Sequence, residues 1–403
     1  MIYLYTEKYT PRVQYVCSHI FTTMLGKQIT WIYEWDKLPN PKENTVVAYT
    51  SKDCPDGVFS VCPHGLLFKQ GVKEQSISMG QWEGMKTFFE TQGGHIPFDL
   101  FSAVFYLITR YEEYTASSDA FDDKGRFQAT TSLAYREGFL RDPLIDKWVI
   151  RFEQELQKCC STYQPSVKRQ FVFRPVIVIN NLFKYQNKPI LTNLSQMATK
   201  LVKGKWASLK LQLKVLLHIT SDPYCNFSSL MQLHNRNNLL PIFFLKVSNS
   251  SWWNRPVYAT YRSYRKLLLH NYMLELNSSL QASENIKQYL LERKKLHQIT
   301  KSQVVMNCFH HLAFRIPRSY RNLLKASIKD DYSMVYADEI GFRASTCTPY
   351  KYYDLEKEDY YKLVIHPVAL CDDMLRKTSC HRDQVYQNML QMAECTRQVQ
   401  GEF

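Results

Sequence analysis

The chain has 403 residues and a formal net charge of +14, and this length predicts two domains. No run of about 18 apolar residues occurs, and the first ~25 residues hold no apolar segment behind a basic start, so neither a membrane span nor a secretory signal is expected. The eleven cysteines are scattered without a C-x-x-C pair, which favours reduced thiols in a cytoplasmic protein over a disulfide framework or a zinc knuckle.

The first part of the chain mixes strand-like and helix-like segments and predicts a small α/β domain over residues 1–165. From Leu100 to Tyr114 apolar residues recur at helical spacing, and Asp99 stands where an N-cap belongs. A second helix is expected from Pro143 to about Lys158, followed by a linker at Gln164–Ser166. Short apolar runs predict strands at 45–49 and 58–61.

From residue 170 onward, apolar runs alternate with helical patterns, which predicts a parallel sheet or a barrel. Strands are expected at 176–179, 239–247, 272–276, 304–309, 332–336 and 363–368. Helices are expected at 192–217, 225–237, 257–270, 281–299, 317–326 and 382–399. Active sites of such folds lie at the carboxyl ends of strands. The side chains at or just after predicted strand ends are Asn180, Asn181, Asn277, His310 and His366.

Positive charge is concentrated between Pro175 and Leu274, where 13 Lys or Arg residues accompany a single acid, Asp222. A solvated basic surface is the favoured interpretation, with nucleic acid, anionic lipid or an acidic glycan as the alternative partners. Several lysines between 200 and 214 share a broad helical sector, which equally describes an amphipathic surface helix. The same region is poor in the carboxylates that a hydrolytic metal centre normally uses.

Short motifs occur along most of the chain. In the first half they are Gly94–Asp99, Arg110–Tyr114, Gly125–Phe127, Thr131–Ser132 and Pro143–Asp146. In the second half they are Asp331–Met334, Gly341–Ala344 and Tyr353–Leu355. In this order they resemble the Bacteroidetes-type polysaccharide deacetylase family, whose NodB-like domain follows an amino-terminal domain of unknown function. The resemblance implies an α/β fold with a deformed NodB-like β/α barrel over residues 170–403, preceded by the smaller α/β domain.

The resemblance also implies a chemistry, the hydrolysis of an N-acetyl group on a sugar at one divalent metal. That chemistry needs a carboxylate base, a metal-binding carboxylate, two imidazoles and an acid for the leaving amine. By match to the family, the base position falls on Val178, the metal carboxylate on Asn180 and a metal histidine on Asn277, while Ser279 is retained. Valine cannot take a proton and an amide oxygen is a poor ligand. The resemblance therefore predicts a catalytically degenerate member.

Other matched positions keep a functional side chain. His310 matches a family histidine and is a possible metal ligand, while Asp222 opens an Asp-Pro-Tyr segment that also indicates a turn. Arg343 matches an arginine that orients a carboxylate, with a structural ion pair as the alternative. His366 lies where a deacetylase has its general-acid histidine, with a hydrogen-bonded strand-end histidine as the alternative. His366 and Arg343 are therefore the candidate catalytic residues.

Three hypotheses follow. The first is an inactive, hydrolase-like protein of carbohydrate or cell-surface glycan metabolism, which binds a glycan or oligosaccharide and needs no cofactor. The second is an active metal-dependent carbohydrate N-deacetylase with a rebuilt zinc site. Its ligands would come from His310, Asp222, His366, and Asp338 or Asp372. The third is a basic protein that binds nucleic acid or an anionic surface through residues 175–274. The sequence favours the first and leaves residual hydrolase activity open.

Overall fold

The structure is a computed structural model that describes residues 1–165, 169–180, 183–186, 188–248, 272–378 and 381–403. The chain forms two compact units. Unit 1 consists of Met1–Val172, His311–Leu324 and Lys329–Phe403, and unit 2 consists of Phe173–His310 and Lys325–Ile328. The last part of the chain thus belongs to the same unit as the first, and a separate barrel domain over 170–403 stays a prediction.

Strands and helices alternate along most of the described chain. The strands are β1 (Ile2–Thr6), β2 (Ile29–Ile32), β3 (Val46–Tyr49), β4 (Val58–Val61), β5 (Met79–Trp82), β6 (Met85–Phe88), β7 (Val176–Ile179), β8 (Ile242–Leu245), β9 (Met273–Ser278), β10 (Met306–Phe309), β11 (Asp330–Met334), β12 (Tyr350–Asp354) and β13 (Asp359–Pro367). The α-helices are α1 (Pro11–Cys17), α2 (Leu100–Ile108), α3 (Tyr111–Thr115), α4 (Leu133–Arg136), α5 (Leu144–Cys159), α6 (Ile190–Val202), α7 (Trp206–Leu216), α8 (Phe227–Arg236), α9 (Leu280–Glu284), α10 (Ile286–Thr300), α11 (Arg318–Lys325), α12 (Asp372–Thr378) and α13 (Arg382–Gln398). A π-helical turn, Ser18–Met24, continues α1.

The amino-terminal sheet of unit 1 has the order β2–β1–β3–β4, and each neighbouring pair is parallel. Every residue of β3 and β4 is buried, as expected for parallel strands covered on both faces. The ring of Phe152 in α5 meets Phe59 of β4 at a centroid distance of 5.3 Å. The two strands and the helix predicted in this region are confirmed, each to within one residue at its ends.

The predicted helix from Leu100 to Tyr114 is two helices, α2 and α3. Asp99 caps α2 as predicted, because its Oδ1 accepts the Ser102 N–H at 3.0 Å. Arg110 interrupts the helix with a left-handed backbone, φ 55° and ψ 45°, which is unfavourable for a residue that has a Cβ. Its buried guanidinium donates to Glu113 at 2.8 Å. Glu113 also pairs with Arg343, which is distant in sequence, so a non-local ion pair accompanies this break in the helix.

The strands β11, β12 and β13 of unit 1 are neighbours in one sheet. β13 lies between the other two, parallel to β11 and antiparallel to β12. Strands were predicted at 332–336 and 363–368, and the structure begins each of them earlier than the apolar run does. Both extensions are polar segments, which explains why hydrophobic periodicity did not include them.

Unit 2 contains four parallel strands in the order β10–β9–β8–β7. All four residues of β8 are buried, and β9 is buried after its first residue. The predicted α/β arrangement with parallel strands is therefore confirmed, while closure into a barrel remains a proposal. The parallel register matters for function, because it brings the carboxyl ends of these strands to one edge of the sheet.

The helices of unit 2 are shorter than predicted. The segment 192–217 forms α6 and α7, with Gly204 between them at φ 63°, a left-handed conformation that glycine adopts readily. The segment 281–299 forms α9 and α10, and Asn285 begins α10 by accepting the Lys287 and Gln288 N–H groups. The helix predicted at 257–270 lies outside the described residues.

Candidate functional site

The carboxyl edge of the unit 2 sheet carries a lysine and a histidine in direct contact. Lys246 follows β8 and His310 follows β10, and the Lys246 Nζ lies 2.9 Å from the His310 Nε2. An ammonium group has only hydrogens to offer, so the imidazole nitrogen is the acceptor. Burial lowers the pKa of Lys246, although Glu292 acts in the opposite direction. Sequence reasoning pointed to His310 and missed Lys246.

Asn277 lies on β9, the strand between β8 and β10. Its Nδ2 donates to the Cys308 carbonyl at 3.0 Å, and its side chain is buried. Its Oδ1, together with the Oγ of neighbouring Ser278, is buried without a hydrogen-bond partner among the described residues. Buried polar atoms are normally paired, so a ligand or water is expected at the Asn277 oxygen, while the Ser278 oxygen lies on the other face of the strand.

The two other replaced family positions lie on or beside β7. Val178 is an exposed residue of that strand, paired in register with Phe244 of β8. Asn180 follows β7 and is exposed in a bend. Lys246 is connected to β7 through its backbone, because its N–H donates to the Ile179 carbonyl at 3.2 Å.

Ser279, the residue retained at the family motif, has a structural role in this chain. Its hydroxyl accepts the Ala282 N–H and caps α9. The same hydroxyl donates to Glu292 at 2.5 Å, and the Ser279 N–H donates to the second oxygen of that carboxylate at 2.9 Å. Glu292 is fully buried. The serine thus satisfies a buried charge, which explains its presence without a substrate.

We expect Ser279→Ala to lower the free energy of unfolding by about 1–2 kcal/mol, because it removes a cap and a partner of a buried carboxylate. Urea denaturation followed by circular dichroism measures this. The matched control is Ser195→Ala, which removes an exposed hydroxyl from α6 and should change stability by less than ~0.5 kcal/mol. Equal stability of the two variants would contradict the structural role of Ser279.

Asp222 stabilises a turn, which is one of the two roles predicted for it from sequence. Its carboxylate accepts the backbone N–H groups of Lys184, Tyr185 and Gln186, at 2.7 to 3.1 Å, and that of Tyr224 at 3.0 Å. Burial raises its pKa, but these backbone hydrogen bonds lower it further and leave it below the ordinary value. Both carboxylate oxygens are therefore already engaged by the chain itself.

Arg343 of unit 1 is buried and lies in an ion pair. It donates to both carboxylate oxygens of Glu113, at 2.9 and 2.7 Å. Its guanidinium also lies over the Phe314 ring, 4.5 Å from the centroid. Its geometry therefore supports the structural ion-pair alternative, and its assignment as a catalytic residue stays a prediction.

His366, also in unit 1, bridges two acids. Its Nε2 lies 2.9 Å from Asp330 Oδ1 and its Nδ1 lies 3.8 Å from Glu402 Oε1. The ring stacks on Tyr332 with centroids 4.2 Å apart and an interplanar angle of 9°. Burial lowers the pKa of His366, but the two carboxylates outweigh it and raise the pKa above the ordinary 6.5. This arrangement favours the cation, and the general-acid assignment of His366 remains a prediction.

The raised pKa of His366 predicts a pH dependence of stability. A raised folded-state pKa contributes stability that is fully present below the unfolded value of 6.5 and is lost as the pH rises through the folded value. We expect His366→Gln to abolish this part of the pH profile in urea unfolding experiments. The control His381→Gln, at an exposed position, should keep the wild-type profile. An unchanged profile in His366→Gln would show that the bridge contributes nothing.

A divalent metal does not fit the matched positions of unit 2. Throughout the described ranges, no group of three or more His, Cys, Asp and Glu side chains is placed to hold a metal ion. A zinc–nitrogen bond measures ~2.0–2.1 Å, and the Nε2 of His310 already accepts from Lys246. Val178 has no ligand atom.

Lys246 and Glu292 were not predicted from sequence, for different reasons. Lys246 had a usable signal, since it directly follows the buried apolar run of β8 at a strand end. Glu292 had none, because it stands at a helical position of α10 where an exposed acid is the ordinary interpretation. Only the fold shows that it is buried against Ser279.

Comparisons with known proteins give a partial picture. A family of unknown function (DUF7033) matches residues 2–161, a range inside the predicted amino-terminal domain. No curated protein matches the chain significantly. A solved structure titled "putative polysaccharide deacetylase from Mycobacterium smegmatis" is similar at 9% identity and a TM-score of 0.36, over 60% of this chain and 77% of that one. A likeness this distant carries no argument about the site.

Within the described part of the chain, every helix is too short or too polar to cross a membrane.

Proposed function

We propose that this chain is a deacetylase-like protein of carbohydrate metabolism that binds a glycan without hydrolysing it. The ordered motifs of both halves support the relationship, and the four parallel strands of unit 2 supply the β/α framework that it requires. A deformed NodB-like barrel is the finer fold of this proposal. A cytoplasmic location belongs to it as well, supported by the ten free cysteines of the described residues.

The observation that carries the proposal is the contact between Lys246 and His310. An ammonium group at this edge places a positive charge beside His310, the position that the resemblance matches to a metal histidine. Two unit positive charges about 4 Å apart repel by about 4 kcal/mol at an effective dielectric constant of 20. A second cation is therefore disfavoured beside Lys246, and Val178 offers no base to activate a water molecule.

The same edge has suitable groups for a sugar. The Lys246 ammonium donates hydrogen bonds, and the unpartnered Asn277 Oδ1 on the neighbouring strand can accept one from a sugar hydroxyl. A strong donor and an unpartnered acceptor at this edge suit the carbonyl oxygen of an N-acetyl group and a neighbouring sugar hydroxyl. An acetylated sugar bound in this way would stay intact, because the base that hydrolysis needs is absent at position 178.

Isothermal titration calorimetry with N-acetylated chitin oligosaccharides tests the proposal. We expect wild-type binding, and at least about tenfold weaker binding by Lys246→Met, because a charge-assisted hydrogen bond contributes ~1.5–3 kcal/mol. The matched control is Lys287→Met, an exposed lysine of α10, which should bind like the wild type. Failure to bind these oligosaccharides, or equal affinity of wild type and Lys246→Met, would contradict the proposal.

A further inference from the structure

The hairpin formed by α6 and α7 exposes an unusual amount of apolar surface. Ile190, Val202 and Trp206 are 78%, 89% and 66% exposed. Further exposed apolar side chains of the hairpin and the residues after it are Leu191, Leu194, Leu201, Leu211, Leu213, Leu217 and Ile219. Soluble proteins rarely display large side chains in such a continuous set. The set therefore needs a partner or a surface.

Polar side chains hold the inner side of this hairpin together. Asn193 and Gln212 are buried, and the Gln212 Nε2 donates to the Asn193 Oδ1 at 3.2 Å. Lys200 donates to the Gln212 Oε1, and its ammonium lies 4.2 Å from the centroid of the Tyr185 ring. The usual order of a surface helix, apolar side inward and polar side outward, is thus partly reversed.

The exposed apolar residues form stripes along both helices. At about 100° per residue, Ile190, Leu194 and Leu201 fall within about 40° of one another on α6, and Leu191 and Val202 widen the stripe to about 120°. On α7 and the residue after it, Trp206, Leu213 and Leu217 likewise fall within about 40° of one another. Buried Val215 lies on the opposite side of α7. Each helix is therefore amphipathic, with an apolar outer stripe.

The charge of the hairpin is entirely positive. Between Ile190 and Leu216 the sequence contains five lysines and no Asp or Glu. Two of them, Lys203 and Lys205, lie in the turn directly between Val202 and Trp206, and all four side-chain positions are exposed. Lys210 and Lys214 lie on α7 beside its apolar stripe, within about 80° of Trp206. Apolar and cationic side chains therefore lie next to each other on the exposed surface of the α6–α7 hairpin.

We propose that the α6–α7 hairpin binds the surface of a membrane that contains anionic lipids, with the turn from Val202 to Trp206 entering the headgroup region. Helices that combine an apolar stripe with lysines and an aromatic residue lie in this interface, where tryptophan is favoured. Lysines near an anionic leaflet add to the attraction. Nucleic acid would match the lysines but leave the aliphatic stripe exposed. This inference is independent of the proposed glycan binding.

Co-sedimentation of the full chain with phosphatidylcholine vesicles, with and without phosphatidylglycerol, tests this. We expect at least ~tenfold stronger binding to the anionic vesicles, weakening as salt is raised. Lys203→Glu/Lys205→Glu should weaken it by at least ~fivefold per lysine, and Val202→Glu/Trp206→Glu should abolish it. Circular dichroism checks that these surface variants stay folded.

Matched controls use exposed positions of α10 in the same unit. Leu291→Glu and Lys287→Glu change comparable side chains and should leave vesicle binding unchanged. Equal binding to neutral and anionic vesicles would overturn the proposal, as would hairpin variants that bind like the controls. Binding to an RNA duplex instead, insensitive to Val202→Glu/Trp206→Glu and without vesicle binding, would assign the lysines to nucleic acid and overturn it too.

Discussion

Replacing Glu113 with glutamine is expected to lower the free energy of unfolding by about 3–5 kcal/mol. The Glu113 side chain is 2% exposed and receives two hydrogen bonds from Arg343 and one from Arg110. Both guanidinium groups are buried and retain their charge at any accessible pH. Glutamine has almost the same size and leaves these two cations without their shared carboxylate. Arg110 keeps its ion pair with Glu112 at 2.8 Å, so the loss of stability measures chiefly the buried charge of Arg343 and not a cavity.

Urea denaturation of wild type and Glu113→Gln measures the effect. The control is Glu34→Gln, whose carboxylate is 63% exposed and pairs with Lys37 at 2.6 Å. Exposed pairs contribute ~0.2–1 kcal/mol, so this variant should be nearly as stable as the wild type. A loss below about 1 kcal/mol for Glu113→Gln would show that solvent or neighbouring acids compensate for the missing charge.

This ion pair joins two of the motifs that carry the family resemblance. Glu113 and Arg110 belong to the Arg110–Tyr114 motif, and Arg343 belongs to Gly341–Ala344. Arg110 also donates to the Arg343 carbonyl. The two segments are more than 220 residues apart in sequence and lie together in unit 1. The contacts between Arg110, Glu113 and Arg343 therefore give both motifs a structural role, and this role does not require catalysis.

Replacing Asp146 with alanine is expected to cost about 3 kcal/mol or more. The carboxylate is fully buried near the start of α5. It accepts from the Thr346 hydroxyl at 2.6 Å, the Cys347 N–H at 3.0 Å and the Thr348 hydroxyl, and it pairs with Arg169 at 3.4 Å. Alanine leaves several buried donors unsatisfied, each at a cost of ~1–3 kcal/mol.

The effect is measured by urea denaturation beside Asp142→Ala as control. Asp142 lies just before the same helix and pairs with Lys147 at 2.6 Å, with its side chain 42% exposed. We expect a change of less than about 1 kcal/mol there. If the two variants lose similar stability, the buried contacts of Asp146 contribute no more than an exposed pair does.

Local features of the fold were predictable from sequence. β3 and β4 are short apolar runs, and Asp99 caps α2 with a side-chain oxygen three residues before its donor. Such features depend on neighbours along the chain, and the pattern of side chains describes them sufficiently. The break between α2 and α3 was not predictable. Arg110 donates to Glu113, and Glu113 also pairs with Arg343, which is far away in sequence.

The candidate site was predictable in part. The rule that parallel strands end at one edge led to Asn277 and His310, and both lie there in unit 2. The identity of the His310 partner was not predictable, because Lys246 comes from a strand two positions away in the sheet. The burial of Glu292 was not predictable either, because charged residues of the same helix, such as Lys287, are exposed.

Metal content measured together with acetate release tests most directly whether this chain is a deacetylase-like protein that does not hydrolyse a glycan. Purified protein is dialysed against zinc, cobalt or nickel, analysed for bound metal and incubated with N-acetylated oligosaccharides. We expect no stoichiometric metal and no acetate, for the wild type and for Lys246→Met alike. One bound metal per chain with acetate release, both lost in His310→Ala, would contradict it and establish an active deacetylase with a rebuilt centre.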